Sequence, residues 1–289
     1  MGQALTTSVV SWHGVTSDKP SLSAGRTRGV AAGEAEQLVT GLARAFKAVF
    51  AALDGARVEE KSGWRLFLCP SVPIPPFNAV WALEDPADDA IGGLAQSMTE
   101  VEELGLPFGV VLRANRAPGL ETEAHRLGLT AVERMPAMVM GRDELRDRGT
   151  RGLEIVRVRD VVDLDRTLTV VAAGFEAPTE VLQAVYQPAV AEVAGVSIYL
   201  ATVDGEPVST AISWLGDRGV GIFNVATPPS LRGRGYGAAV TAAAIEEGFA
   251  AGAELAWLQA SQLGEPVYRR MGFRQVDTHL LLVRPGSGE

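Results

Sequence analysis

The stretch that decides the fold is "NVATPPSLRGRGYGAAVTAAAIEEGF", residues 224–249. Its second part is an alanine-rich helix, and at the mouth of that helix stand Gly233, Gly235 and Gly237. Glycine disfavours a helix by ~1 kcal/mol relative to alanine, so bare backbone must be needed there. Without Cβ atoms, main-chain N–H groups can approach a ligand closely and the chain can take positive φ. A helix N-terminus adds the positive end of its dipole, and Arg232 and Arg234 add charge. These residues read as an anion cradle between a strand and a helix. A tight turn with no ligand would not need all five.

The flanking sequence narrows the ligand. "VSIYLATVDGEPVSTAISWLGDRGVGIFNVAT" (196–227) holds two apolar runs around Asp204-Gly205, a hairpin signal, and a third run after a turn near Asp217. This predicts a three-stranded antiparallel meander leading into the cradle. Gly233, Gly235 and Ala238 satisfy G-x-G-x-x-G/A, yet Pro228 and Pro229 separate strand from turn, and the meander is foreign to a doubly wound nucleotide fold. A Walker-type loop needs Gly-Lys-Ser/Thr, and no lysine follows residue 150.

The rest of the second half supplies a strand at "LEIVRV", helices at 160–175 and 178–193, a helix to about 251, a strand "LAWLQAS", a short helix ending at "YRRMGF" and a last strand "THLLLV". The first half echoes this order. Leu38, Leu42, Phe46 and Phe50 make one helical face within 34–53. "RLFL", "FNAVWAL" and "FGVVLRA" read as strands, "DDAIGGLAQSMTEVEELG" and "GLETEAHRLG" as helices, and "MPAMVM" closes the half. Residues 1–33 show little periodicity. "PSVPIPPFN" suits a loop and "GRDELRDRGTRG" (141–152) a linker. Phe77-Asn78 matches Phe223-Asn224, and Gly128-Leu129 matches Gly272-Phe273. The expectation is an α/β chain of two mixed β-sheet units with helices on both faces, a tandem duplication divided into residues 1–150 and 151–289.

Composition excludes several classes. Net charge is −9, and residues 151–289 hold 11 Arg against 16 Asp plus Glu. Such a balance argues against a nucleic-acid partner and mildly favours a cationic one. No apolar run is long enough for a membrane span, and the short acylation-like pattern at Gly2 and Thr6 stands without a second signal. A single cysteine, Cys69, allows no intrachain disulfide and fits a reducing cytoplasm. His13, His125 and His279 are scattered, so no metal site is expected.

Arg232-Gly-Arg-Gly-Tyr-Gly237 is R-x-x-G-x-G, and it is followed by "QASQLGEPVYRRMGF" at the next strand and helix. Here residues 153–285 resemble the GNAT superfamily of N-acetyltransferases. The resemblance implies acetyl-coenzyme A as cosubstrate and no metal. It implies that Arg232, Gly233, Arg234, Gly235, Tyr236, Gly237 and Ala238 hold the pyrophosphate. Val225, Ala226 and Thr227 would take the pantetheine arm, with strand N–H groups near Val225 and Thr227 facing the oxyanion. Ser261 would touch the cofactor or cap the next helix. Tyr268 would return a proton to the leaving thiolate, or else only pack before the Gly-Phe step.

Where the second half has its cradle, the first has Glu84, Asp85, Asp88 and Asp89, and Tyr268 falls opposite a position near Glu123. The first half therefore resembles the degenerate member of tandem GNAT proteins. The acceptor is a small-molecule or peptide amine, unnamed by the sequence, and a homo-oligomer is compatible. Glu176, Asp217 and Glu265 are candidate bases, more in keeping with solvated surface groups. A non-catalytic acyl-coenzyme A sensor or a ligand-free scaffold would share the same fold.

Overall fold

A computed structural model of the chain describes residues 27–61, 63–84, 89–146 and 152–285. His13, the Gly2/Thr6 pattern, Asp85 and Asp88 lie outside the described residues. Helix α1 (Thr27–Phe50) is followed by strands β1 (Arg57–Lys61), β2 (Trp64–Leu68) and β3 (Ala79–Ala82), then α2 (Asp89–Glu103), β4 (Gly109–Arg113), α3 (Pro118–Arg126) and β5 (Thr130–Gly141). The second half runs β6 (Glu154–Arg157), α4 (Val161–Phe175), the short helices α5 (Thr179–Leu182) and α6 (Pro188–Ala191), β7 (Val196–Val203), β8 (Glu206–Leu215), β9 (Gly219–Ala226), α7 (Tyr236–Ala250), β10 (Leu255–Gln259), α8 (Glu265–Met271) and β11 (Arg274–Val283).

The meander is present as expected, and Asp204 (φ 51°) and Gly205 (φ 81°) both take the positive φ of a two-residue hairpin. Three local expectations need correction. Helix α1 begins at Thr27, inside the segment read as aperiodic. The helix expected over 178–193 is broken into pieces, because Pro188 starts a new turn after an extended Gln187. Strand β1, "RVEEK", had no apolar alternation to betray it; its charges suit a sheet edge.

The two expected units share one eleven-stranded sheet, in the order β1-β2-β3-β4-β11-β5-β10-β9-β8-β7-β6. Each half gives its last strand to the other: β11 lies between β4 and β5, and β5 lies between β11 and β10. Among the described residues, only β3–β4 and β9–β10 pair in parallel. Apart from β6, which has no counterpart, the order is symmetric about the β5–β11 pair. That ladder carries two irregularities, one passing over Val276 and the other over Val132. They are related by the same pseudo-twofold axis that equates Gly128 (φ 83°) with Gly272 (φ 116°). The registers equate Trp81 with Phe223 and Ala82 with Asn224. The sequence match of Phe77-Asn78 to Phe223-Asn224 was therefore four residues out of register.

Helix α1 lies over the centre of the sheet, against β5, β9 and β11. Its Phe46 ring stands 4.3 Å from Trp81 and 6.3 Å from Phe223, one aromatic from each half. Trp257 is buried beneath it, and glycines make its room: a Cβ on Gly221 would fall 2.3 Å from the indole, and one on Gly41 2.7 Å. The start of the expected linker is docked, since Arg146 N donates to Met271 O (2.9 Å) and Arg142 to Ala253 O (3.0 Å). Residues 147–151 lie outside the description.

Two outcomes follow from this packing. Gly221→Ala should cost about 1–3 kcal/mol, the usual penalty for overfilling a core, measured by denaturant unfolding. A chain cleaved between Arg146 and Gly152 should still elute as one particle, because each fragment holds the other's strand; fragments that separate without denaturant would contradict the strand exchange.

Candidate active site

Strands β9 and β10 pair from Gly219↔Leu255 to Ile222↔Leu258 and then part, although β9 runs on to Ala226. Each is held on its outer edge instead. Thr210 of β8 pairs with Ala226. Ala137 of β5 pairs with Gln259, and Ala260 N donates to Pro136 O at 2.9 Å. The result is a wedge opening beyond Phe223 and Gln259.

A bulge shapes the β9 wall. The β8–β9 register gains one residue on β9 between Phe223 and Ala226, and Asn224 takes φ 48°, a value asparagine tolerates better than most residues. Asn224 Nδ2 donates to the Tyr186 hydroxyl at 3.2 Å. The strand end is pinned by Ser209, whose hydroxyl donates to Ala226 O (2.8 Å) and lies 2.9 Å from Thr227 Oγ1. On the α4 face a cleft is lined by Asp165, Leu168, Gln183, Tyr186 and, from the first half, Ser71.

The cradle follows. Gly233 has φ 76° and Gly235, the N-cap of α7, φ 81°; no side chain caps the helix. The first helical backbone bond runs from Ala239 N to Gly235 O, so the preceding amides project from the helix end. A Cβ on Gly237 would lie 3.3 Å from Thr227 Oγ1 and crowd the turn. Arg234 is exposed. Arg232 is engaged with its own protein: it donates to Gly174 O (2.7 Å) and Thr227 O (3.2 Å), with Glu176 3.8 Å away. It braces the turn against the end of α4. Gly174 permits this closeness, because a Cβ there would stand 2.8 Å from that of Ala226.

Tyr268 is buried on the α7 side of the sheet, edge-on to Phe273 at 5.7 Å. Burial raises its hydroxyl pKa well above the usual phenol range, so the phenol keeps its proton. Ser261 Oγ accepts from Gly264 N (3.1 Å) in the turn before α8; it is not the helix cap expected of it, because the N-cap is Gly264 and no side chain caps α8. The first half has Ala124 at the position equivalent to Tyr268, and β3 ends at Ala82 with α2 starting already at Asp89.

The three carboxylates singled out by sequence lie at the surface with cationic neighbours. Asp217 pairs with Arg44 at 2.8 Å, Glu265 with Arg269 at 2.6 Å, and Glu176 stands near Arg232. Sequence reasoning missed Glu133 of β5. It is 9% exposed, no cation pairs with it among the described residues, and burial pushes its carboxyl up to about 7. The sequence closes the half with "MPAMVM" (135–140) alone, whereas β5 starts at Thr130, so Glu133 falls outside the expected strand. His279, also buried, is driven down to about 4 by burial and stays neutral, its Nδ1 2.6 Å from Gln259 Nε2. Among the described residues, no cluster of three or more His, Cys, Asp or Glu could hold a metal, and no helix is long and apolar enough to cross a membrane.

The raised carboxyl gives stability a pH slope. Folding favours protonated Glu133, so its contribution is complete below about pH 4.5 and is lost as pH rises through about 7. Glu133→Gln should therefore leave the thermal midpoint unchanged at pH 4.5 and raise it at pH 8.5, by an equivalent of about 3 kcal/mol at most. A midpoint difference that is the same at both pH values would contradict the burial.

Residues 162–273 match the model of the acetyltransferase (GNAT) family. Among solved structures, the chain resembles a GCN5-related N-acetyltransferase from Kribbella flavida, with TM-score 0.64 and 23% identity over 92% of this chain and 98% of that one. It resembles a second such protein, from Sphaerobacter thermophilus, with TM-score 0.56 and 16% identity over 82% and 85%. A tandem GNAT protein from the clavulanic acid biosynthesis pathway aligns with TM-score 0.53 and 13% identity over 76% and 77%. These likenesses extend the fold to both halves. No curated protein matches the sequence.

Proposed function

From the match of residues 162–273 to the acetyltransferase (GNAT) family model, we propose an enzyme that moves an acetyl group from acetyl-coenzyme A to an amine. One observation carries the reading: a parallel strand pair parts at the mouth of an uncapped helix entered through two glycines of positive φ. The donor set fits a diphosphate, with main-chain N–H groups of Gly233–Ala238 at the positive end of α7. Arg234 adds charge, while Arg232 holds the turn in shape. The edge of β9 at Val225, Ala226 and Thr227 has left β10 and is available to an amide-bearing arm.

When bound, acetyl-coenzyme A supplies an acyl group activated as a thioester. The protein's part is to orient and to move protons. Tyr268, kept neutral by burial, would give a proton to sulfur. N–H groups near Val225 and Thr227 would stabilise the developing oxyanion. The attacking nitrogen must be uncharged, which costs about 4–5 kcal/mol at pH 7 for a lysine-like amine and about 1 for an α-amine. The acceptor is a small-molecule or peptide amine, and the net charge of −9 favours a cationic one. The first half, with residue 150 as the boundary of the sequence repeat, walls the acceptor side.

Purified protein should release thiol from acetyl-coenzyme A only when an amine from a panel is added. Heat of coenzyme A binding without amine-dependent release would point to a sensor instead, and no heat to a scaffold. Tyr268→Phe should slow turnover about 10–100-fold and leave acetyl-coenzyme A affinity intact; unchanged turnover at saturation would remove Tyr268 from the chemistry.

A further inference from the structure

The pseudo-twofold axis makes each half a control for the other. Glu133 on β5 and Asp277 on β11 are equivalent, each directly after the valine that its ladder passes over. Asp277 faces a cation: Arg113 Nε lies 2.5 Å from its Oδ2, and Arg113 also donates to Glu36 of α1 at 2.6 Å. Arg113 stands opposite His279 at the end of β4. Continuing the β5–β10 register past Gln259↔Ala137 places Ser261 opposite Met135, the equivalent position. The second half of the sheet, which β5 joins from the first half of the chain, keeps a carboxylate, Glu133, and has serine in the place of arginine.

Among the described residues no cation pairs with buried Glu133, which lies on a strand that runs antiparallel to β10 and continues past its end, on the side of the wedge. It shares a face with Met135, Ala137 and Val139, the face covered by α1 and α4, whereas Tyr268 and α7 lie on the other. An unpaired buried carboxylate is costly. A cation arriving in the wedge from this face would relieve that cost.

We infer that Glu133, supplied by the first half, receives the acceptor's ammonium nitrogen and takes its first proton. This rests on the acetyltransfer reading above. Glu133 passes that proton on to solvent, and the neutral amine attacks the acyl carbon from the face opposite Tyr268. As the N–C bond forms and the C–S bond breaks, Glu133, ionised again, takes the second proton from nitrogen, while Tyr268 gives its proton to sulfur and regains one from solvent. The acceptor class is thus an amine that is protonated in solution and carries at least two protons on its charged nitrogen. Around Glu133 on the same face, Asp277 and Glu36 are bound to Arg113, Glu34 is bound to Arg274, and His279 is neutral.

The test uses the full chain and the best amine of the panel. The wild-type kcat/KM should rise with pH through a limb near 7. Glu133→Gln should lose that limb and fall about 10²–10³-fold, with acetyl-coenzyme A affinity unchanged, while Glu133→Asp retains the limb. Independently of turnover, carbon-13 carboxyl spectra of the free protein should hold a signal titrating near 7 that is missing from Glu133→Gln. A Glu133→Gln variant with undiminished rate and limb, or a Glu133 signal titrating near 4, overturns the assignment and leaves acetyl transfer standing. A wild-type chain that acetylates no amine overturns both.

Discussion

Two parallel strands can part only if each is held along its other edge. Their N–H and C=O groups have to be satisfied somewhere, and a strand freed on both sides would not stay extended. In this chain β9 is held by β8 as far as Ala226, and β10 is held by β5 as far as Gln259. Strand β5 comes from the other half. The wedge that defines the candidate active site therefore depends on the exchange of last strands, and with it on the pairing of β5 to β11 at the centre of the sheet.

This gives the first half a physical purpose although it has no glycine cradle and has Ala124 where the second half has Tyr268. It supplies β5, the helix α1 that packs over both halves, and a slot between β4 and β5 that holds β11. The halves have diverged in electrostatics on a shared backbone. Arg113 binds Asp277 and Glu36 in one; in the other Glu133 is buried with no paired cation among the described residues. The bulged valines and the paired glycines at 128 and 272 preserve the older symmetry.

Local physics was legible in the sequence. The Asp204-Gly205 hairpin, the meander and the R-x-x-G-x-G turn are set by neighbours within a few residues, and all stand where expected. What failed was non-local. Nothing within "MPAMVM" or "THLLLV" says that each strand lies against the opposite half, because apolar alternation fixes a face and not a partner. The slip that matched Asn78 with Asn224 arose from letters alike in sequence and four residues apart in the sheet. Arg232 reads as a ligand-binding cation, yet two carbonyls, of Gly174 and Thr227, take its hydrogen bonds. Glu133 fell outside the expected strand, and its cross-strand partner, Leu281, belongs to the other half of the chain. Strand β1 was overlooked for the opposite reason, since an edge strand can be stable while charged.

The most direct test of the wedge is amide hydrogen exchange of the full chain with and without coenzyme A. Slowed exchange at residues 233–238 together with 225–227, and little change in the first half's turn after β3, is the expected result. Protection confined to other segments, or none at saturating ligand, would contradict a diphosphate seated at the start of α7 and the enzyme assignment built on it.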